Sequence, residues 1–460
     1  MTSSPHDISS PQGPKQTDSG HGRGSLRRVI TSSALGQFVE WYDFVIYAYS
    51  AAILAKLFFP KEDPVAGTLF VFGGYAVGFL MRPLGGIVFG LLSDRIGRRT
   101  VLVIVIVAMG AGTMGIGLLP TYQSVGVLAP ILLVACRMVQ GFSAAGETVG
   151  SNAFVAEHAP AGKRGLYTSF TYSFSTLPSV VASLFVLLLT TSLGPETYEA
   201  WGWRIAFLIG GPMALVGLYI RSRVDESPVY EAAKAAKATA EAKHVTMEKT
   251  STRQAVTQTL ALAALSSLAF YTISGYMVSY LTTGAKLPQS QALLTNGIAL
   301  LVAVVCFWVG GTLSDRFGRK PVLFSAIGAT IVLYLPAFWL AGLGHMWSAL
   351  IGQLIIAIIF GLYWGAFGIT VIELFPTRNR VSGAMISYNV AYTVFGGTAP
   401  LLATWLIART GVLVAPGIYM MIVAIVVFIL VRKLPETSRS NLLHSDDRAP
   451  VSQGAGGTTE

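Results

Sequence analysis

The sequence contains little charge and almost no cysteine. Only 12% of its 460 residues are charged, while 53% are hydrophobic and the mean hydropathy is +0.61. A typical soluble domain carries about 25% charged residues, so the composition excludes an ordinary soluble protein and indicates a membrane protein. The two cysteines, Cys136 and Cys306, lie far apart in apolar segments. That placement excludes a disulfide framework and a cysteine-based metal site.

Catalytic motifs are also missing. The chain has no phosphate-binding glycine loop, no soluble catalytic domain and no pairing of a nucleophile with a base. We therefore predict that the protein is not an enzyme and needs neither a cofactor nor a metal. Residues 1–28 are mostly polar and begin without the apolar stretch of a cleavable signal peptide. We expect them to form a disordered cytoplasmic tail.

Long apolar runs make up most of the chain, and twelve of them are candidates to cross a bilayer, which takes about 20 residues per helix. They lie near 29–58, 66–92, 100–119, 127–156, 166–192, 204–222, 255–284, 291–313, 321–342, 347–374, 382–408 and 413–432. We predict an all-α membrane protein with two six-helix bundles, at 29–222 and 255–433. A polar cytoplasmic linker at 223–254 joins the bundles, and residues 434–460 form a cytoplasmic tail.

The basic residues predict the orientation of these spans. Most of the 32 Lys and Arg residues fall in segments on one side of the spans. Because cytoplasmic loops are enriched in Lys and Arg, we expect both termini to be cytoplasmic. The net charge of +10 is then explained by topology, and we predict no binding of nucleic acid.

Two loops repeat one motif, "GLLSDRIGRRTVL" at 90–102 and "GTLSDRFGRKPVL" at 311–323. A second repeated pattern, E-x-x-P-x-x-x-R, begins at Glu157 and again at Glu373. The repeats indicate a duplicated six-helix unit with a substrate site between the halves near mid-membrane. The G-x-L-S-D-R-x-G-R-R/K loop resembles the signature of the major facilitator superfamily. That resemblance implies two bundles that rock to expose the site alternately to each side.

The resemblance assigns the repeated motifs to a cytoplasmic gate rather than to substrate binding. In the motif, Asp94 and Asp315 are suited to cap a neighbouring helix N-terminus, or to pair with Arg98 and Arg319. In the second pattern, the acids Glu157 and Glu373 and the bases Arg164 and Arg380 complete this cluster of charges. The predicted gate residues are Asp94, Arg95, Arg98, Glu157, Arg164, Asp315, Arg316, Arg319, Glu373 and Arg380.

Several other segments resemble the metabolite:proton symporter family within this superfamily. They are "EWYDFVIYA", "GFLMRPLGGIVFG", "RMVQGFSAAGETVG", "WGWRIAFLIGG", "ELFPTRNRVSG" and "YNVAYTVFGGTAP". Members of that family take up 2-oxoglutarate, citrate, shikimate, proline or betaine with protons, so the resemblance implies proton-coupled uptake of a small metabolite. Ala145 and Ala206 depart from the family pattern, but neither departure removes a charge.

The N-terminal half carries charges within its predicted spans. Glu40 and Asp43 share one helix face, roughly 16–21 Å from the cytoplasmic end of the first span at 1.5 Å per residue. Span four contains Arg137 and Glu147, and span two contains Arg82. Three acids against two bases leave one carboxylate unpaired, and a buried carboxylate without a partner binds a proton readily.

We therefore predict that Glu40, Asp43 and Glu147 couple transport to protons. Arg137 and Arg82 are the predicted substrate anchors, because a guanidinium forks onto a carboxylate. Structural alternatives stay open. Glu40 would form a static ion pair between helices, Arg82 would belong to the cytoplasmic gate, and Glu147 would only balance the charge of Arg137.

The C-terminal half buries almost no charge in its predicted spans, but it carries polar aromatic and amide residues. Such groups hydrogen-bond a ligand while presenting an apolar body to it. The predicted substrate contacts there are Tyr271, Tyr276, Tyr280, Tyr388 and Asn389.

These residues favour a proton symporter of a small organic acid, such as 2-oxoglutarate, citrate or a shikimate-like acid. The alternatives are a symporter of zwitterionic proline or betaine, a uniporter, and a sensor on the same fold. Residues 434–460 contain no charged heptad repeat, which argues against an osmolyte role without excluding betaine or proline. We expect a monomer in the inner membrane, whose partners are the substrate, a proton and the bilayer lipid.

Overall fold

The computed structural model describes residues 37–38, 41–60, 64–96, 98–143, 155–156, 159–222, 249–375 and 380–438. Within these ranges the regular structure is entirely helical. Long apolar runs form helices because a helix satisfies its own backbone hydrogen bonds, as hydrocarbon demands. The N-terminal half contains α1 (41–58), α2 (Pro64–Ile96), α3 (Arg98–Leu118), α4 (Leu128–Ser143), α5 (Arg164–Thr197) and α6 (203–222). The C-terminal half contains α7 (249–284), α8 (Gln289–Phe317), α9 (Arg319–Ala341), α10 (Met346–Glu373), α11 (380–410) and α12 (Ala415–Val431).

Each predicted span corresponds to one of these helices. By length and hydropathy alone, seven helical stretches in the described chain qualify as membrane spans, and one of them, Arg164–Val216, includes both α5 and most of α6. The described apolar parts of α3, α4 and α12 are shorter. The helix α7 begins at Lys249, six residues before the predicted boundary at 255. The remaining domain boundaries stay predictions, because most of the linker and both tails lie outside the described residues.

Glycines set the closest helix crossings. A Cβ atom on Gly141 of α4 would overlap the backbone of Gly78 in α2, so α2 and α4 touch backbone to backbone. Between the halves, a Cβ on Gly165 of α5 would lie 2.6 Å from the carbonyl oxygen of Gly311 in α8. Small residues permit such approaches in membrane bundles. These crossings place Arg137 beside α2 and hold the start of α5 against the end of α8.

Two of the twelve helices, α7 and α11, contain turns that depart from regular α geometry. The helix α7 contains π-helical turns at Thr272–Tyr276 and Tyr280–Gly284, and α11 contains one at Tyr392–Gly396. Such turns are frequent at functional sites. We call the end of the bundle that holds residues 434–438 the C-terminal face, and the end that holds residues 285–288 the opposite face.

Candidate substrate and proton site

The side chain of Arg137 is the deepest cation of the N-terminal half. It is 1% exposed, and its Nη1 donates to Gln140 Oε1 at 2.7 Å. The guanidinium carbon lies 4.2 Å from the ring centre of Tyr47 and 5.0 Å from that of Phe44. Its Nε and Nη2 are buried without a hydrogen-bond partner among the described residues. Because unpaired buried donors are costly, this guanidinium is suited to receive an anionic group.

The second predicted anchor, Arg82, also lies beside the ring of Phe44. Its guanidinium carbon is 4.4 Å from the centre of Phe44, 4.6 Å from Phe79 and 5.8 Å from Trp41. The ring of Phe44 is therefore within cation–π distance of both arginines. The structure brings Arg82 into the interior with Arg137.

Asp43 is the one predicted proton-coupling residue that the structure describes. It is 1% exposed and lies close enough to Arg137 to interact with it electrostatically. Its Oδ1 is 3.5 Å from a Cβ built on Gly210, so the carboxylate points towards α6. Next to it, Tyr42 donates to the carbonyl oxygen of Ala206, which fixes α1 against α6. Glu40 and Glu147 lie outside the described residues, and their roles stay predictions.

Aromatic rings connect this site to the C-terminal half. Trp41 packs edge-on to Phe270 at 4.8 Å, and Phe270 stacks on Trp364 at 5.3 Å. Tyr271 lies 5.1 Å from Phe79, which joins α7 to α2. The indole nitrogens of Trp41 and Trp364 and the hydroxyl of Tyr75 have no hydrogen-bond partner among the described residues. We call this set the central cluster; it consists of Arg82, Arg137, Trp41, Phe44, Tyr75, Phe79, Phe270, Tyr271, Trp364, Tyr388 and Tyr392.

Two of the five residues predicted in the C-terminal half, Tyr271 and Tyr388, lie in the central cluster, where Tyr388 stacks on Tyr392 at 3.9 Å. The other three do not. Tyr276 and Tyr280 line a separate cavity nearer the opposite face, and the hydroxyl of Tyr280 donates to Phe338 O at 2.9 Å. Asn389 is only partly buried, because one residue along a helix from Tyr388 turns its side chain about 100° away.

At the C-terminal face, Asp315 joins the two halves. Its Oδ1 and Oδ2 accept the backbone N–H groups of Gly165 and Leu166, at 2.8 and 2.9 Å, where α5 begins. We call these two bonds the inter-half cap. Arg319 holds the same carboxylate at 2.7 Å and binds the buried Glu373 at 3.2 Å. The carboxylate is thus oriented from within the C-terminal half and bonded across to the N-terminal half.

The other predicted gate residues are placed differently. Arg164 is buried and close enough to Glu373 to interact electrostatically. Arg316 is exposed and lies over the ring of Phe317, so the structure does not bring it into the cluster. Glu157 and the side chains of Asp94, Arg95, Arg98 and Arg380 lie outside the described part of the chain. The gating role of all ten residues remains a prediction.

Sequence reasoning missed several residues of both sites. The chain after α12 folds back, so that Glu436 Oε1 accepts the N–H of Arg319 at 2.8 Å and Thr437 donates to Glu373 at 2.7 Å. The charged "PET" segment after an apolar run was the only signal for this contact. Gln140 stands three residues after Arg137, a spacing that places two side chains together on a helix. Nothing in the sequence distinguished Phe44 from other apolar residues.

The family model described as Major Facilitator Superfamily matches residues 33–396 of the chain. The chain is 35% identical over 428 residues to the proline/betaine transporter of Salmonella typhimurium, a match that covers 91% of this chain and 85% of that protein. It is also 35% identical to the inner membrane metabolite transport protein YhjE of Escherichia coli, over 91% and 96% of the two chains. A crystal structure of a D-xylose-proton symporter superposes with a TM-score of 0.72 and 21% identity, over 90% and 98% of the chains, which shows a shared fold.

Proposed function

The chain belongs to the major facilitator superfamily, and we propose that it takes up a small zwitterion, such as proline or glycine betaine, together with protons. The substrate would bind in the central cluster. Its carboxylate would lie at Arg137, and its ammonium group would lie against the aromatic rings shared by the two halves. Alternating access of this site to the two faces would follow from rocking of the halves.

One observation carries the proposal: an anion-binding group and a run of aromatic rings that can hold a cation belong to one cluster, linked through Phe44 and Arg82. Arg137 has two buried nitrogen atoms, Nε and Nη2, without hydrogen-bond partners among the described residues. Within the same cluster, Trp41, Phe270 and Trp364 form a continuous run of rings across the halves. Aromatic faces attract ammonium groups, by about 0.5–2 kcal/mol each depending on exposure. A ligand with one carboxylate and one ammonium group matches both parts.

A zwitterion fits better than the small organic acid that the sequence favoured. A tricarboxylate would need more cations than Arg82 and Arg137, but the described lysines and arginines of the C-terminal half stand at or near helix ends, away from the central cluster. Several relatives are also named as transporters of proline and betaine. The lack of a heptad tail bears on osmotic regulation rather than on what the site binds.

Proton coupling would arise because Asp43 and the substrate carboxylate compete for Arg137. Asp43 interacts electrostatically with Arg137. A substrate carboxylate at Arg137 takes over part of that interaction, and a buried carboxylate that loses its counter-ion binds a proton. Substrate and proton would then be carried together. Glu40 and Glu147 remain further candidates for this role.

The proposal includes an orientation. The basic residues favour a cytoplasmic C-terminal face, so the inter-half cap would close the inner side of a monomer in the inner membrane. The opposite face would then be extracellular.

A panel of solutes in proteoliposomes tests the substrate class. Glycine betaine carries both charges, 3,3-dimethylbutyrate has the same shape without the cation, and choline has the cation without the carboxylate. We expect the protein to take up glycine betaine or proline. We expect it not to take up 2-oxoglutarate or citrate, and neither acid should strongly inhibit uptake of the zwitterions. Uptake of 2-oxoglutarate or citrate in preference to the zwitterions would contradict the proposal.

A matched pair of variants tests the anchor. Arg137→Lys keeps the charge but loses the fork, and it should raise the KM for the zwitterion about tenfold or more, because hydrogen bonds to charged groups are worth about 1.5–3 kcal/mol. Arg204→Lys is the control, since Arg204 also lies over a ring, 4.5 Å from Trp203, but among the described residues its side chain donates only to the backbone carbonyl of Leu119. Equal effects of the two variants would refute the assignment.

A further inference from the structure

A second ligand site lies nearer the opposite face. We propose that the cavity between α1 and α7 captures the substrate before it reaches the central cluster, and that Lys286 binds its carboxylate there. The identity of this ligand, a small zwitterion, rests on the proposed function. The existence of a carboxylate site at Lys286 rests on the cavity itself.

The cavity has a volume of about 550 Å³, within the range of small-molecule sites. Its walls are formed on one side by residues of α1, by Pro60 just after α1 and by Thr68 of α2, and on the other side by residues between 276 and 286 and between 404 and 408 of the C-terminal half. It therefore lies between the halves, as a site on a transport path must. We call it the α1–α7 cavity.

The charge of its lining favours an anionic group. Six hydroxyls and the ammonium groups of Lys56 and Lys286 line the α1–α7 cavity, and none of the described residues that line it is acidic. Lys56 forms an ion pair with Glu199, which neutralises it. Lys286 has neither an ion pair nor a side-chain hydrogen bond with any described residue. Among the described residues, the cavity thus presents one positive charge without a counter-ion, beside a set of hydroxyl groups that mostly donate to backbone carbonyl groups.

The backbone at Lys286 is also unusual. Its φ is +58°, the only positive value among the described residues other than glycine. A lysine in this left-handed conformation costs of order 1–3 kcal/mol relative to a common one. The turn is held by bonds from Ala285 N to Tyr280 O and from Leu287 N to Leu281 O. The protein therefore places a charged side chain at a position where glycine or asparagine would be less strained.

The floor of the cavity separates it from the central cluster by a single irregular turn. Tyr276 lines the cavity and ends the π-helical turn of α7. On the other side of that turn, a Cβ on Gly275 would lie 3.8 Å from the hydroxyl of Tyr75 in the central cluster. Asn296 Nδ2 donates a hydrogen bond to the carbonyl oxygen of Ile273 at 2.8 Å.

The same amide of α8 ties this floor to the N-terminal half, since Tyr49 donates to Asn296 Oδ1 at 2.8 Å. Opening of this one turn would connect the α1–α7 cavity to Arg137. A zwitterion held at Lys286 by its carboxylate would pass inward and exchange one cationic partner for another. The cavity would thus increase the capture of substrate without taking part in coupling.

Protection of a thiol from labelling tests the site without relying on transport. Thr283→Cys places a reporter in the cavity wall, in a chain with Cys136→Ser and Cys306→Ser. We expect glycine betaine and 3,3-dimethylbutyrate to slow its reaction with a membrane-impermeant maleimide about two- to fivefold, and choline to have no effect. Lys286→Asn should abolish protection while suiting the left-handed backbone, and Lys286→Arg should retain it.

A reporter at Val412→Cys is the control, because Val412 is 44% exposed on the same face but lies outside the cavity. It should show no protection by any of the three solutes. The inference is overturned if no solute protects Thr283→Cys, if choline protects it as well as glycine betaine, or if protection survives Lys286→Asn.

Transport separates this inference from the proposed function. Lys286→Asn should raise the KM for zwitterion uptake about two- to fivefold at low salt and leave the maximal rate unchanged. Arg409→Gln, which removes another exposed cation of the same face outside the cavity, should change neither. A wild-type protein that transports zwitterions with a KM unaffected by Lys286→Asn refutes only the α1–α7 cavity. A wild-type protein that transports no zwitterion refutes the proposed function, and protection of Thr283→Cys by 3,3-dimethylbutyrate still decides whether the site exists.

Discussion

The inter-half cap makes a prediction whose magnitude follows from the structure. Among the hydrogen bonds of the described residues at the C-terminal face, those of Asp315 to Gly165 and Leu166 cross between the halves, whereas Arg319 and Glu373 both belong to the C-terminal half. Asp315→Asn keeps one acceptor but turns an NH2 group towards the second N–H. One charge-assisted bond is lost, worth about 1.5–3 kcal/mol, and so is the interaction of the carboxylate with the N-terminus of α5, worth about 0.3–1 kcal/mol.

The sum, roughly 2–4 kcal/mol, corresponds to a shift of about 30- to 1,000-fold towards states in which the C-terminal face is open, at 1.4 kcal/mol per tenfold change. Spin labels on exposed positions of the two halves, Lys163 and Arg432, would measure it by electron–electron distance distributions in liposomes. We expect a short distance in the wild type and a dominant longer distance in Asp315→Asn. Arg316→Gln is the control, since Arg316 is exposed next to the cap. An unchanged distribution in Asp315→Asn, or an equal shift in Arg316→Gln, would refute the assignment of the cap.

Three further predictions concern the contacts between helices. Gly165→Ala should also open the C-terminal face, because its Cβ would lie 2.6 Å from a carbonyl oxygen of α8. Gly162→Ala is the control and should leave the face closed, because its Cβ would have no atom within 4 Å. The same spin-label distances measure both variants. Tyr49→Phe removes a buried bond worth about 1 kcal/mol, so the π-helical turn of α7 should exchange its amide hydrogens about fivefold faster, and unchanged exchange would count against this tie. Burial acts to raise the pKa of Glu436, but the N–H groups of α9 and Ser438 outweigh it and lower that pKa. Docking of residues 434–438 is thus fully stabilised above the ordinary pKa of a glutamate and weakens as pH falls through the lowered value. Glu436→Gln should increase proteolysis of that segment at pH 7 and not at a pH below the lowered pKa, and equal increases at both would contradict the account.

The fold was predictable because hydrocarbon leaves the chain few choices. Apolar runs of spanning length must become helices, and two copies of one loop motif reveal the duplication. Family membership confirms the all-α fold with two six-helix halves and the prediction of a transporter rather than an enzyme. The irregular turns of α7 and α11 were not predictable, because they depend on partners such as Asn296, which lies in another helix.

The candidate site was predictable only where charge marks it. A buried arginine or aspartate in an apolar run is costly, so Arg137, Arg82 and Asp43 stand out by residue type alone. The rings that surround them do not, because Phe44 has no chemical feature that separates it from lipid-facing phenylalanines. The tyrosines of α7 looked equivalent in sequence, yet Tyr271 faces the central cluster and Tyr276 the α1–α7 cavity. The π-helical turn between them changes the direction of every later side chain in the helix.

The preference between an organic acid and a zwitterion also needed three-dimensional information. Two buried arginines indicate a carboxylate in either case. Only the packing of Trp41, Phe270 and Trp364 in one cluster with Arg137 supplies the second half of a zwitterion site, and no spacing in the sequence brings α1, α7 and α10 together.

The most direct test of the account is zwitterion transport by Asp43→Asn in proteoliposomes, measured in two modes. The account predicts that wild-type protein accumulates glycine betaine or proline against a gradient when a pH gradient is imposed, acid outside. Asp43→Asn should lose this accumulation while still exchanging labelled for unlabelled substrate across the membrane, because exchange requires no net movement of protons. Accumulation by Asp43→Asn at the wild-type level, driven by the same pH gradient, would contradict the coupling of substrate and proton through Asp43.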